Sequence, residues 1–294
     1  MPLTIRRAFA DERAAVAEFF HTLMNPNVPL QLWNDLLDQR WTSSPASCAV
    51  IAEEKGRIAG ALTTVHADRE IDGRMVRTCN LSGMYIEKSH RGVGLGRRIA
   101  VEALADPDVE FTAYSTNAAS SAAVMSAGMT ALDRHRHVWF AGRDGSAGTS
   151  GKAAIEVVRD PGEVAALLDA PLRRILEDHA GMNIHPVAFQ APGGEVCLVV
   201  LMIKVKGEDV TYYDALYISD LPLFADHARA LASALLPAGD ALMSADSRFM
   251  DGLDAAPDAT WEIRIPRAGL LTGLAAPKAD ILYSEIPLFD LKLD

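Results

Sequence analysis

The chain has 294 residues, 49% of them hydrophobic, and a net charge of −11. That size suits one large or two ordinary domains with packed cores. With no run of eighteen apolar residues a membrane span is not expected, and the start Met1-Pro-Leu-Thr-Ile-Arg-Arg lacks the apolar core of a signal peptide. Residues 1–150 carry 16 basic and 17 acidic side chains, residues 151–294 carry 12 and 22. The acidic second half disfavours nucleic acid or an anionic membrane as partner. It suits a cationic amine, or solubility alone. Cys48, Cys79 and Cys197 are few, odd in number and far apart, which reads as reduced buried thiols in a cytoplasmic protein and excludes a disulfide framework or a zinc site.

In chain order, Leu3–Arg6 reads as a strand. Asp11 is placed to cap a helix whose apolar positions Ala14, Ala15, Phe19 and Leu23 fall at helical spacing. Pro26 and Pro29 break it, and Leu30–Trp41 reads as a second helix. Ala49–Ala52, the turn Glu53–Gly56 and Arg57–Val65 form a hairpin signal. A strand near Arg77–Ile86 follows the turn at Ile71–Arg74. A glycine loop, a helix from Gly94 to Ala105, a strand at Val109–Ser115, a short helix at Ser120–Ala127 and a strand at His135–Phe140 complete the first half. Residues 143–152 are small, polar and glycine-rich and read as a linker between domains at 1–142 and 153–294. Beyond it come a helix over Pro161–His179, strands at Val196–Val205 and Val210–Ile218, a helix at Pro222–Leu236, a strand at Ala241–Ala245, and strand-like Trp261–Ile265 and Ile281–Leu291.

The segment Met84–Ile99 is the most informative. An apolar strand runs into Lys-Ser-His-Arg91-Gly92-Val93-Gly94-Leu95-Gly96-Arg97-Arg98, and a helix begins at once. Backbone N–H groups of such a loop converge at a helix N-terminus, where a diphosphate binds. Glycine allows close approach and unusual dihedrals, and Arg91, Arg97 and Arg98 add positive charge. A dinucleotide fingerprint needs Gly-x-Gly-x-x-Gly, and a P-loop needs Gly-Lys-Ser/Thr; neither is present.

The Arg91-x-x-Gly94-x-Gly96 spacing, preceded by the Met84/Ile86 alternation, resembles the acyl-CoA signature of the GNAT family of N-acetyltransferases. The resemblance covers nearly the whole first half. It implies an α/β (α+β) fold with a mixed, mostly antiparallel sheet and flanking helices. It also implies acetyl-CoA as co-substrate without a metal, with Met84, Tyr85 and Ile86 pairing with pantetheine and supporting the thioester carbonyl. The loop residues 91–97 would hold the pyrophosphate, with Asn117 opening the next family pattern. Trp33 and Trp41 lie in the region that walls the acceptor site. The acceptor implied is a small-molecule amine; a hydroxyl acceptor such as a sugar stays open, as does a homodimer.

Proton chemistry is less complete. Where some members carry a glutamate base this chain has Asn80, beside Ser82; where many carry a tyrosine acid it has Val124, with Ser126 replacing a lysine. A CoA-binding protein without turnover is therefore the competing reading. Tyr85 and Tyr114, on the strands flanking the gap, are candidate phenols or simply packed rings. His66, His90, His135 and His137 are further titratable groups near this region, and the 135/137 pair lacks a third metal ligand. Asp246-Ser-Arg248 and Tyr283-Ser-Glu285 would bring carboxylates to the acceptor if the halves embrace. The order strand–helix–strand over Val210–Ala245 repeats that of Arg77–Ser115, which suggests a degenerate second GNAT-like half. Asp220 stands in its loop where a phosphate would sit, and like charge opposes CoA there.

Overall fold

The computed structural model describes residues 3–140, 155–207 and 209–293; the expected linker lies outside them. Its contacts divide the chain into two compact units. The first comprises Met1–Leu132, Ile265–Ala275 and Tyr283–Leu291, and the second Asp133–Arg264, Ala276–Leu282 and Lys292–Asp294. This differs from a cut at residue 142. Chain order does not decide the division; strand pairing does.

In the first unit β1 (Thr4–Ala8) is followed by a 3-10 turn at Ala10–Glu12 and α1 (Arg13–Leu23). Asp11 lies within that turn and does not cap α1, whose N-cap position is Glu12 with no side-chain cap. Pro29 sets the start of α2 (Leu30–Leu36), which is shorter than the sequence suggested, because Gln39 adopts φ of 52°. Then come β2 (Ala49–Glu54), β3 (Arg57–Ile71), β4 (Arg74–Ile86), α3 (Leu95–Ala103), β5 (Glu110–Ala113) and α4 (Ala118–Ser126). Strands β1 to β4 pair antiparallel in sequence order, while β5 pairs parallel to β4, as a strand returning through a helical crossover must.

One irregularity in β4 governs the site. Leu62 faces Met84 but Thr63 faces Ser82, so Gly83 is an extra, bulged residue. A bulge shifts the two-residue side-chain period by one. Cys79 and Leu81 before it, and Met84 and Ile86 after it, therefore all belong to or pack on the core that α3 covers with Leu95, Ile99 and Ala103. Asn80 and Ser82 are left to the other face.

Strand β6 (Thr130–Phe140) lies in the second unit from Asp133 on, and β7 (Glu156–Val158) follows it there. The single helix expected over 161–179 is two, α5 (Pro161–Leu167) and α6 (Ala170–Asp178), because Asp169 accepts from Leu172 N at 3.0 Å and caps a new start. The sequence reading missed β8 (His185–Gln190). After it come β9 (Val196–Lys206), β10 (Val210–Ile218), α7 (Leu221–Leu235) and β11 (Ala241–Asp246). The order is β6-β11-β10-β9-β8-β7, with β10 and β11 parallel. Leu216 is bulged against β9, so Ala215 and Ile218 share one core, the same change of phase as in β4.

Strand β12 (Ala259–Leu270) ends in the first unit, where Ala268–Leu270 pair with β5. The expected strand at 281–291 does not exist: Ser284 caps a short helix, α8 (Glu285–Phe289), and Pro287 removes a donor that a strand ladder would need. The cysteines are free and buried, and burial pushes the Cys48 and Cys197 thiols up to about 11.

Candidate active site

The glycine loop takes the geometry its composition implies. Gly92 and Gly94 have φ of 80° and 75°, and Gly94 is the N-cap of α3. A Cβ at either would meet nothing within 4 Å, so their Cα atoms face open space at a helix N-terminus. Arg91 Nε donates to Ile86 O at 2.8 Å, and its guanidinium lies 5.2 Å from the Tyr85 ring centroid. Arg97 Nε donates to Ser126 O at 3.0 Å, tying α3 to the end of α4. Along this loop runs a cleft of about 760 Å³, lined by Met84, Tyr85, Ile86, the loop and α4.

Strands β4 and β5 pair no further than Asn80 and Thr112. Beyond that point lies a smaller cavity of about 200 Å³, bounded by Trp33, Leu81, Ser82, Gly83, Ser115, Thr116, Glu285 and Phe289. Met24, Met84, Asn117 and Ser120 line both spaces, so the cleft leads into the cavity.

One carboxylate faces this junction. Glu285 is 1% exposed; one of its oxygens accepts from Asn80 Nδ2 and the other from Ser115 Oγ. Asn80 Oδ1 in turn accepts from Thr112 Oγ1 at 3.2 Å. Burial raises the Glu285 carboxyl above the usual carboxylate range, and the two hydrogen bonds offset part of that rise. Aromatic pairs hold its segment in place. Phe289 meets Trp33 edge-on at 5.0 Å, Tyr283 meets Trp41 at 5.3 Å, and Arg69 lies over the Tyr283 ring at 4.2 Å.

Residues 15–120 match the profile of the Acetyltransferase (GNAT) family. Residues 15–120 thus carry a GNAT acetyltransferase domain. Comparison with curated proteins finds no match. Three solved structures share the fold over most of the chain. A GCN5-related N-acetyltransferase from Anabaena variabilis ATCC 29413 is 10% identical, with 91% of this chain and 72% of that one covered at a TM-score of 0.52. A conserved protein of unknown function from Enterococcus faecalis V583, described as a probable N-acyltransferase, is 10% identical with 94% and 74% covered at 0.52. A GCN5-related N-acetyltransferase from Kribbella flavida is 14% identical with 92% and 72% covered at 0.52.

Within the GNAT domain the expected residues separate. Met84, Tyr85, Ile86, Arg91, Gly92, Gly94, Leu95, Gly96, Arg97 and Asn117 all line the cleft, while Val93 points away from it and is 71% exposed. Gly96 is the close-packed glycine: a Cβ there would lie 3.3 Å from Ile86 Cδ1 and 3.4 Å from Ala123 Cβ. Asn117 caps α4 in a capping box with Ser120, a role worth about 1 kcal/mol. Trp33 lines the cavity, stacked on Phe20 at 5.1 Å. Trp41 does not line it; it is spent on Tyr283. Tyr114, the residue after β5, is buried and lines neither space. Tyr85 lines the cleft, its ring edge-on to Phe19 at 5.8 Å. Asn80 is no base; its amide donates to the Glu285 carboxylate.

Other candidates fall elsewhere. His90 lines the cleft with Nε2 3.4 Å from Glu54. Burial lowers His66 to about 4. His137 bonds Thr260 Oγ1 at 3.1 Å, and no cluster of three metal-binding side chains exists among the described residues. Asp246 and Arg248 are buried in the second unit, where Arg248 pairs with Asp133 and, at 2.9 Å, with Asp246. Asp220 caps α7 through Leu223 N at 2.9 Å. No helix of the described residues is long and apolar enough to cross a membrane.

Glu285 is the residue that sequence reasoning placed least firmly. Its segment stood out only as a carboxylate source. The signal available was an asparagine where the family pattern carries an acid.

Proposed function

We propose that this protein transfers an acyl group, acetyl in the simplest case, from an acyl-CoA to a small amine by direct attack. One observation carries the reading: a glycine-lined cleft at a helix N-terminus opens into a cavity that holds a buried carboxylate. The open Cα faces of Gly92 and Gly94 fit a pyrophosphate, since any side chain there would fill the cradle. Met84, Tyr85 and Ile86 pair with β3 on one side, and β4 pairs with β5 no further than Asn80, so backbone groups on their other edge suit the pantetheine and the thioester carbonyl.

Glu285 is the proton acceptor in this reading. An amine reaches the cavity as an ammonium and must lose one proton before its lone pair attacks. The Glu285 carboxylate takes that proton. The nitrogen then bonds to the acyl carbon, the carbon–sulfur bond breaks, and the nitrogen's second proton passes to the departing thiolate. A carboxyl raised by burial is the better base, because its affinity for a proton lies nearer the working pH.

The second unit is, on this reading, a degenerate GNAT-like copy; the bulge at Leu216 and the parallel β10–β11 pair support it. Both spaces are lined by first-unit residues, so the expectation that this copy walls the acceptor site is not carried forward.

Calorimetric titration with acetyl-CoA tests the reading, with Gly94→Glu as control and thiol release in the presence of amines as readout of turnover. Micromolar binding lost in the variant, with thiol released, supports it. Binding without release from any amine favours the competing CoA-binding protein without turnover. No binding removes both.

A further inference from the structure

The two side chains that donate to Glu285 differ in where they stand. Asn80, 2% exposed, reaches one carboxylate oxygen from inside the unit. Ser115 reaches the other from an exposed position. The carboxylate between them is sealed, its residue 1% exposed. Ser115 lies two residues past the end of β5, beyond the last β4–β5 pair at Asn80 and Thr112, where the strands have parted. With Ser82, Gly83 and Met84 it lines the cavity into which the cleft leads.

Their chemistry differs as well. A side-chain amide nitrogen donates and does not accept, and Asn80 Oδ1 is taken by Thr112 Oγ1 at 3.2 Å. Asn80 therefore holds the carboxylate but offers a proton no path to it. A hydroxyl donates one hydrogen and accepts on two lone pairs. Ser115 Oγ gives its hydrogen to Glu285 Oε1 and keeps lone pairs with which to accept another. A proton acceptor has to lie within hydrogen-bond reach of the proton it takes, directly or through one intermediate. Glu285 meets that requirement through Ser115.

Resting on the acyl-transfer reading above, we propose that Ser115 is a further catalytic residue: its hydroxyl contacts the acceptor amine and relays the amine's proton to Glu285. One N–H bond of the ammonium breaks as its proton bonds to Ser115 Oγ, and the Oγ–H bond breaks as that proton bonds to Glu285 Oε1. The products are a neutral amine, a neutral carboxylic acid and a restored serine hydroxyl. No net charge stays on the serine and no acyl group joins it. The amine's lone pair then attacks the thioester carbon. The relay reconciles a sealed carboxylate with an acceptor in the cavity: burial keeps Glu285 basic, and Ser115 gives access to it. Glu285 is the sole ionisable residue among those lining the cavity, so a proton has no other charged side chain to go to there.

The test is thiol release from acetyl-CoA by the full chain across a pH range, with whichever of benzylamine, spermidine, L-lysine and glucosamine the wild type acetylates fastest. Ser115 is exposed, so Ser115→Ala opens no buried void. It is expected to lower kcat and kcat/KM together by about 10²-fold at every pH, with acetyl-CoA binding kept in calorimetry. Ser115→Thr keeps a hydroxyl and is expected to stay within about tenfold of wild type. A positioning role alone has a different signature. The Ser115 hydrogen bond lowers the Glu285 pKa, so its loss would move the acidic limb to higher pH and leave the plateau rate intact. A wild-type plateau in Ser115→Ala therefore overturns the relay, as does Ser115→Thr no faster than Ser115→Ala. An acetyl adduct on Ser115, found by mass spectrometry after acetyl-CoA alone, makes the serine a nucleophile and also overturns it. All three leave acyl transfer standing. Acetyl-CoA binding without thiol release from any of the four amines, or no binding by the wild type, removes the acyl-transfer reading itself and the relay with it.

Discussion

Asn80 donates through its side-chain amide to the carboxylate of Glu285, 205 residues away in the chain. The first sits on β4 at its last parallel pair with β5, and the second is the first residue of α8. A strand amide and a carboxylate from a distant segment thus form one buried hydrogen-bonded pair. Ser284 caps α8 by accepting from Ile286 N at 3.2 Å.

Glu285→Gln keeps the side chain's shape and removes its basicity. We expect kcat/KM for amine acetylation to fall by about 10²–10⁴-fold while calorimetry still detects acetyl-CoA binding. The pH profile gives the sharper sign. Wild-type activity should fall as pH drops through the raised Glu285 pKa, since only the carboxylate accepts a proton. In the variant that acidic limb should be absent; an unchanged limb would assign it to another group.

The same carboxyl sets a stability trend. Its folded pKa lies above its unfolded value, so the folded state holds the proton more tightly. Between the two values the folded protein binds more protons than the unfolded chain, and stability falls as pH rises. Glu285→Gln lacks this slope. Its Tm relative to wild type is therefore expected to rise between pH 5 and pH 8 in thermal scans; a constant difference would contradict the burial of the charge.

Gly94 separates conformation from space. With φ of 75°, a non-glycine residue costs about 1–2 kcal/mol there, although a Cβ meets no neighbour. Gly94→Asn, which tolerates left-handed backbone, should keep Tm near wild type yet weaken acetyl-CoA in calorimetry. Gly94→Glu should remove binding and lower Tm measurably. Equal affinity in all three would move the pyrophosphate elsewhere.

His66 provides an acid-side probe. Burial lowers it to about 4, and its Nε2 has no partner. The unfolded chain takes up the proton near 6.5, so stability is lost as pH falls from that value toward 4. A His66→Gln variant should lose less stability over that window in urea titrations than wild type does.

In the second unit, Arg248 lies between Asp133 and Asp246, all three buried. Arg248→Met removes the cation beside Asp133, while Asp246 keeps Arg136 at 3.5 Å, and should cost about 3–5 kcal/mol in denaturant unfolding. A change below about 1 kcal/mol would mean water reaches the cluster.

Much was legible locally. The Arg91–Gly96 spacing fixed the loop, because positive φ and close approach are properties of glycine itself. Strand β10 follows from β-branched and aromatic runs alone. The errors were equally physical. Residues 281–291 are apolar enough for a strand, but Ser284 and Pro287 favour a capped turn of helix once Trp33 and Trp41 offer aromatic faces to Phe289 and Tyr283. Tyr114 and Tyr85 were equivalent in sequence, and only the tertiary fold put one in the interior and one in the cleft. The asparagine at 80 was readable as a missing base, but not as a donor to a base supplied from elsewhere.

By itself the sequence determined the glycine cradle and the alternation of strands and helices in the first half, since these depend on neighbours within a few residues. Tertiary structure alone decided which carboxylate serves the cavity, which tryptophan lines it, and that residues 265–275 and 283–291 belong with the first unit. Those outcomes depend on pairing and packing between residues far apart in the chain, where local preference carries no information.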